Sequence, residues 1–158
     1  YRSLSESHAW NQVTGTYVVY GETGISSLFK QYLEQTKEAV KMVVPFFDTL
    51  NFNLLDKLKQ LKNRIDVKVA TSDMRIIKQF SPSPTYIRYV EPPSPFLLGI
   101  FDNKRAILAL IALKKLHIAL VSSEKRVIKE YTVFFEHVWR DDYLRTLQAL
   151  RMLTPKEY

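Results

Sequence analysis

The sequence predicts an α/β domain built on a mixed, mostly parallel sheet of about seven strands flanked by helices. Three observations predict it. β-Branched and aromatic runs alternate with helical patterns from Thr16 to Val90. Three more apolar runs follow, from Phe96 to Val121, separated only by turns. A long helical pattern with an aromatic stripe then closes the series.

The elements follow in order. Thr16-Tyr17-Val18-Val19-Tyr20 has strand composition and stops at Gly21. Thr23 is the expected N-cap of a helix whose apolar face is Ile25, Leu28, Phe29, Tyr32, Leu33 and Thr36. Val40 to Phe46 is the second strand. Asp48 to Asn63 is the second helix, with Phe52, Leu54, Leu55, Leu58 and Leu61 available for its buried face. Ile65 to Ala70 alternates as a strand, and Thr71-Ser72-Asp73 caps a short helix through Gln79. Ser81-Pro82-Ser83-Pro84 ends that helix, because proline cannot continue it. Tyr86 to Val90 is the fourth strand, and Glu91 to Pro95 is a stiff connector. Phe96 to Phe101, Ala106 to Ala112 and His117 to Val121 are hairpin strands, apolar enough to lie in a covered sheet. Ser122 or Ser123 caps the closing helix, which carries Val127, Tyr131, Phe134, Phe135 and Val138. A break is expected at Trp139 to Asp142, with Asp141 capping a further helix to Leu153.

Composition sets limits. The chain has 158 residues, 46% of them hydrophobic, which is one domain's worth and enough for a core without staples. It has no cysteine, so disulfides, zinc ribbons and thiol nucleophiles are excluded. No apolar run approaches the roughly 18 residues that span a bilayer, and no signal-peptide pattern opens the chain. The expectation is a cytoplasmic protein without membrane contact. A net charge of +7 favours a polyanionic partner or a solvated basic surface.

Catalytic motifs are scarce. There is no G-x-S-x-G elbow, no P-loop and no dinucleotide fingerprint. His8, His117 and His137 are not within metal-ligand spacing of one another. His137 and Asp141 are one helical turn apart, which a surface pair explains. No cofactor or metal is expected. The candidate site lies in two loops instead. Phe46-Phe47-Asp48 follows the second strand and Thr71-Ser72-Asp73 the third. Ligands of open α/β sheets bind beyond the carboxyl ends of parallel strands. Phe46, Asp48, Thr71, Ser72 and Asp73 are therefore the ligand-binding candidates, although Asp48 and Asp73 also suit helix caps. Arg88 joins them as an anion or hydroxyl anchor, or as an ordinary edge residue.

One stretch resembles a known family. Pro95-Phe96-Leu97-Leu98-Gly99-Ile100-Phe101-Asp102 and the turn and strand after it resemble the phospholipase D signature, H-x-K, four residues, then D. Aligned on Asp102, the histidine position holds Pro95 and the lysine position holds Leu97. The strand ending at Gly21, Met42-Val43-Val44-Pro45 and the Phe134-Phe135-x-x-x-Trp139 pattern are similar to the C-terminal domain of TrmB-type archaeal transcription regulators. The resemblance implies a phospholipase D-like half-unit without catalysis, acting as an effector domain. It further implies a small-molecule effector, a homodimer and contact with DNA through an N-terminal winged-helix domain. A chain that begins at Tyr1 rather than Met fits a piece of a longer protein. The expected organisation is a linker over 1–12, the effector domain over 13–139 and a helical extension over 140–158. The alternative is a nucleic-acid-binding module of the same fold. A phosphodiesterase with relocated catalytic residues ranks last.

Overall fold

A computed structural model describes residues 15–45, 54–79, 86–91, 94–113 and 115–141, the side chains of 140 and 141 excepted. The linker over 1–12 and the helix expected to end at Leu153 lie outside these residues. Seven strands and four helices are described: β1 (Thr16–Tyr20), α1 (Glu22–Gln35), β2 (Ala39–Val44), α2 (Leu54–Leu61), β3 (Asp66–Thr71), α3 (Met74–Gln79), β4 (Ile87–Tyr89), β5 (Phe96–Phe101), β6 (Arg105–Ala112), β7 (Lys115–Ser122) and α4 (Lys125–Asp141).

The strands form one mixed sheet in the order β1-β7-β6-β5-β2-β3-β4. The expected predominance of parallel pairing is not found. β2–β3 and β3–β4 are parallel, whereas β1–β7, β7–β6, β6–β5 and β5–β2 are antiparallel. The reason lies in β1. The crossover helices do give β1 to β4 one direction, but β1 does not pair with β2. The β5-β6-β7 meander occupies the space between them, and each of its ladders is antiparallel.

Local chemistry sets the boundaries. α1 begins a residue before Thr23, so the expected cap is not the one used. Gly21 takes φ 88°, which glycine adopts without steric cost, and its carbonyl accepts the Ile25 N–H at 3.1 Å. The helix faces inward with Ile25, Leu28, Phe29, Tyr32 and Leu33, as its spacing requires. At its end the Thr36 hydroxyl donates to the Tyr32 carbonyl at 2.7 Å. α2 buries Leu54, Leu55, Leu58 and Leu61, the leucines its pattern offered. α4 runs unbroken through Trp139 and Arg140 to Asp141, so no break falls before Asp141; the rest of the expected break lies outside the described residues. Its end is held on the sheet: the Arg88 guanidinium lies 4.1 Å from the Trp139 ring centre and donates to the Trp139 carbonyl.

Two apolar layers result. On one face α1, α2 and α3 pack on Val40, Met42, Val44, Val67, Val69, Leu97 and Ile107. There Gly99 allows a close approach, since a Cβ at that position would stand 2.9 Å from Phe29. On the other face, among the described residues, α4 packs through Ile128, Phe135 and Trp139 on Val43, Ala70, Leu98, Ile100 and Ala106.

Candidate functional site

The carboxyl ends of β2, β3 and β4 share one edge of the sheet, at Val44, Thr71 and Tyr89. Because β5 is antiparallel to β2, it starts at that same edge, and Pro95 stands beside it. The aligned histidine and lysine positions and the Thr71-Ser72-Asp73 loop therefore share this edge. Phe46 and Asp48 lie outside the described residues.

Thr71 is fully buried, and its Oγ1 accepts the Asp73 N–H at 3.1 Å. Asp73 caps α3: its Oδ1 accepts the Arg75 N–H at 2.9 Å. The same carboxylate takes both Arg75 Nε and a terminal guanidinium nitrogen, at 3.1 and 2.8 Å. Asp73 is thus engaged as a cap and an ion-pair partner. Ser72 differs. Its Oγ is shut off from solvent and has no hydrogen-bond partner. A buried hydroxyl without a partner costs about 1–3 kcal/mol, so such groups are rare and call for a physical reason. Arg88, the other candidate, is one ladder step from this edge, and its guanidinium is occupied by Trp139.

The β5 side of the edge has no catalytic cation or imidazole at the aligned positions. Pro95 is exposed, and its carbonyl accepts the Ile111 N–H at 3.2 Å. Leu97 is fully buried in the layer beneath α1 and α2, paired with Ala109 on β6. Asp102, the retained motif residue, lies at the opposite end of β5. Its carboxylate accepts backbone N–H groups from Lys37, Glu38 and Ala39 at 2.9, 2.7 and 2.9 Å. Its own N–H donates to the Ala39 carbonyl at 2.8 Å. Partial burial works to raise the Asp102 pKa, but the three backbone donors and Lys104 outweigh it and hold it below the ordinary aspartate range. Asp102 and Asn103 both have φ 55°, the left-handed geometry of a tight hairpin turn. This stapling role was not foreseen from sequence. The Asp-Asn pair marks the turn, but nothing local says that the partner loop is the one between α1 and β2.

Two further features lie away from the edge. A cleft of about 310 Å³ opens between α1 and α2, lined by Lys30, Leu33, Glu34, Leu54, Asp56, Lys57 and Gln60. None of the described candidates lines it, and its lysines and acids balance, so it offers no selective charge. Under α1, the Tyr17 hydroxyl meets that of Tyr32 at 3.3 Å, and Arg105 lies 4.2 Å from the Tyr32 ring centre. Burial, and then the contact with Tyr32, pushes the Tyr17 hydroxyl far above the usual tyrosine range. Among the described residues no three His, Asp or Glu side chains gather as a metal site. No described helix is long and apolar enough to cross a membrane.

No family model matches the chain, and no curated protein does. Solved structures do. The archaeal chromatin protein TrmBL2, described as showing a novel mode of DNA binding, matches with a TM-score of 0.62 and 14% identity. That match covers 87% of this chain, which spans only 58% of TrmBL2. Nuc from Salmonella typhimurium, a phospholipase D family member, matches with a TM-score of 0.63 and 15% identity, over 80% of this chain and 95% of Nuc. NucT from Helicobacter pylori matches with 0.63 and 11%, over 78% of this chain and 94% of NucT. The fold is phospholipase D-like, and a TrmB-type protein is among its neighbours.

Proposed function

We propose that this chain is the ligand-sensing and dimerisation domain of a cytoplasmic transcription regulator, without catalytic activity. One observation carries the reading. At the edge where this fold class binds ligands, Ser72 Oγ is buried and unpartnered. On the neighbouring β5 the histidine and lysine positions hold Pro95 and Leu97. Once the edge opens to uncover it, a hydroxyl there is a donor and an acceptor for a small polar molecule, and nothing at the two motif positions can attack a phosphodiester. Phe46, Asp48, Thr71, Ser72 and Asp73 are the proposed ligand contacts. Arg88 is the proposed link from that edge to α4. Binding shifts the dimer between arrangements that differ in DNA affinity, with the DNA held by a domain outside this chain. The likeness to TrmBL2 supports the setting. A thermal-shift screen of sugars, nucleotides and other metabolites tests the reading. Stabilisation by one class, lost in Ser72→Val, is expected; no shift with any of them overturns it.

The second reading is a nucleic-acid-binding module, favoured by the net charge of +7. It requires this chain alone to bind short duplex DNA, with an affinity that falls steeply as salt rises. No binding at low salt removes it.

A further inference from the structure

Charge is not shared evenly between the two ends of the sheet. At the edge of Val44, Thr71 and Tyr89, cations and acids are matched. Arg75 pairs with Asp73 at 2.8 Å, and Lys115 stands at the same edge as Glu22 and Glu91. The opposite end gathers the loops before β2 and β3, the β5–β6 turn and the start of α4. Register brings these onto one line: Ala39 pairs with Asp66, Phe101 with Val40 and Arg105, and Ala106 with Ser122.

Three turns on this line each carry an exposed cation, Lys37, Arg64 and Lys104. Each position is fixed by its own backbone. The Lys37 N–H donates to Asp102 Oδ2 at 2.9 Å, the Arg64 N–H to the Leu61 carbonyl at 2.8 Å and the Lys104 N–H to the Phe101 carbonyl at 3.0 Å. Lys125 and Arg126, also exposed, open α4, where the helix dipole disfavours cations. Among the described residues none of these five forms an ion pair. The exposed acids on the same loops and strand ends are Glu38, Asp66 and Glu124. Asp102 is half-buried and directed at its three backbone donors. Positive charge is therefore in excess here, and it is held on rigid turns.

We propose that this end of the sheet binds the phosphate backbone of duplex DNA without regard to sequence. The proposal rests on the nucleic-acid-binding reading above and puts that activity at the end remote from Ser72, Pro95 and Leu97. Spacing identifies the partner. From the start of α4 after β7 to Arg64 before β3, the row crosses β7, β6, β5, β2 and β3. At about 4.8 Å per strand that is about 19 Å, the length that about six phosphates of one DNA strand occupy at about 3.4 Å of rise each. A lipid surface or an acidic peptide would also call for apolar anchors, and none of the exposed large apolar side chains lies on these turns. The interspersed acids keep the number of phosphates neutralised to about three or four, so log K should fall with log salt at a slope of about −3.

Fluorescence anisotropy of the whole chain with short labelled duplexes of two unrelated sequences, over a salt series, is the test. The two duplexes are expected to bind alike. Lys37→Gln, Arg64→Gln and Lys104→Gln are each expected to weaken binding to both and to reduce the salt slope by about one. Arg64 lies on a different loop from the Asp102 staple, so its variant reads the charge even where the other two disturb the fold, which melting curves would show. Lys115→Gln, at the other end of the sheet, is expected to bind as wild type does. Three turn variants that all bind like wild type overturn the placement and leave the nucleic-acid reading standing. No binding of either duplex at low salt removes both. Tighter binding to anionic lipid vesicles than to DNA at equal charge overturns DNA as the partner.

Discussion

The two ends of β5 have opposite chemistry. At Phe101 the strand runs into Asp102, whose carboxylate gathers three backbone donors and staples the β5–β6 turn to the loop before β2. At Phe96 it starts from Pro95 and places Leu97 in the apolar layer, where the aligned motif has histidine and lysine. Six strand residues, roughly 20 Å, separate these ends. The signature is thus two devices on one strand. The aspartate belongs to the fold, because it fixes which loop the hairpin meets. The histidine and lysine positions belong to the chemistry, and the fold stands without them.

The sharpest way to break that comparison is to restore the missing pair. Pro95→His changes an exposed residue, and its effect on stability is expected to be small. Leu97→Lys is expected to cost about 3–5 kcal/mol, since its ammonium would be buried without a partner. Urea denaturation of the single and double variants measures both, and a phosphodiester assay follows the double. A double variant that folds normally and cleaves would show that the edge is still built for catalysis. The expected result is loss of stability without activity.

Which parts were legible in sequence follows the same division. Local signals served well. The 3.6-residue spacing of Ile25, Phe29 and Tyr32, the leucines of α2 and the turn at Asp102-Asn103 all fix structure through near neighbours in the chain. Non-local signals were silent. Nothing in Thr16–Tyr20 says that it pairs with β7 rather than β2, because its alternation suits either neighbour. The cap at Gly21 was missed because Thr23 is the better side-chain cap, whereas the geometry there needed a positive φ. For the candidate site, the position of the β3 loop at the carboxyl edge of the sheet was legible from strand order alone. That Asp73 is held by Arg75, Arg88 by Trp139, and Ser72 by nothing could not be read, since each depends on distant packing or on rotamer choice.

A smaller effect sharpens the Asp102 end. Asp102→Asn keeps a side chain that tolerates φ 55° and keeps one acceptor oxygen, but removes the charge. A cost of about 1–2 kcal/mol at neutral pH is expected, read as a lower urea midpoint with an unchanged slope. The pH dependence has a definite sign. The folded Asp102 pKa lies below its unfolded value of about 3.9. Its contribution is therefore present above that value and fades as pH falls through the folded pKa. The gap between wild type and Asp102→Asn should narrow below about pH 4. A gap that stays constant down to strong acid would mean that the carboxylate charge is not what the three backbone donors recognise.

The smallest change belongs to the opposite edge. Ser72→Ala removes a buried hydroxyl that no protein group satisfies. Elsewhere, deleting a buried hydrogen-bonding group destabilises, because its partner is left unmatched. Here there is no partner to leave, so the free protein should melt at the same temperature or slightly higher, a change within about 1 kcal/mol. The two readings of the edge then separate. If the hydroxyl faces a ligand, the variant matches wild type alone but gains less from the ligand found in the metabolite screen. If it is only a packing fault, ligand stabilisation is unchanged. Thermal melts of both proteins over a ligand titration decide between them, and an equal shift in the two removes Ser72 from the site.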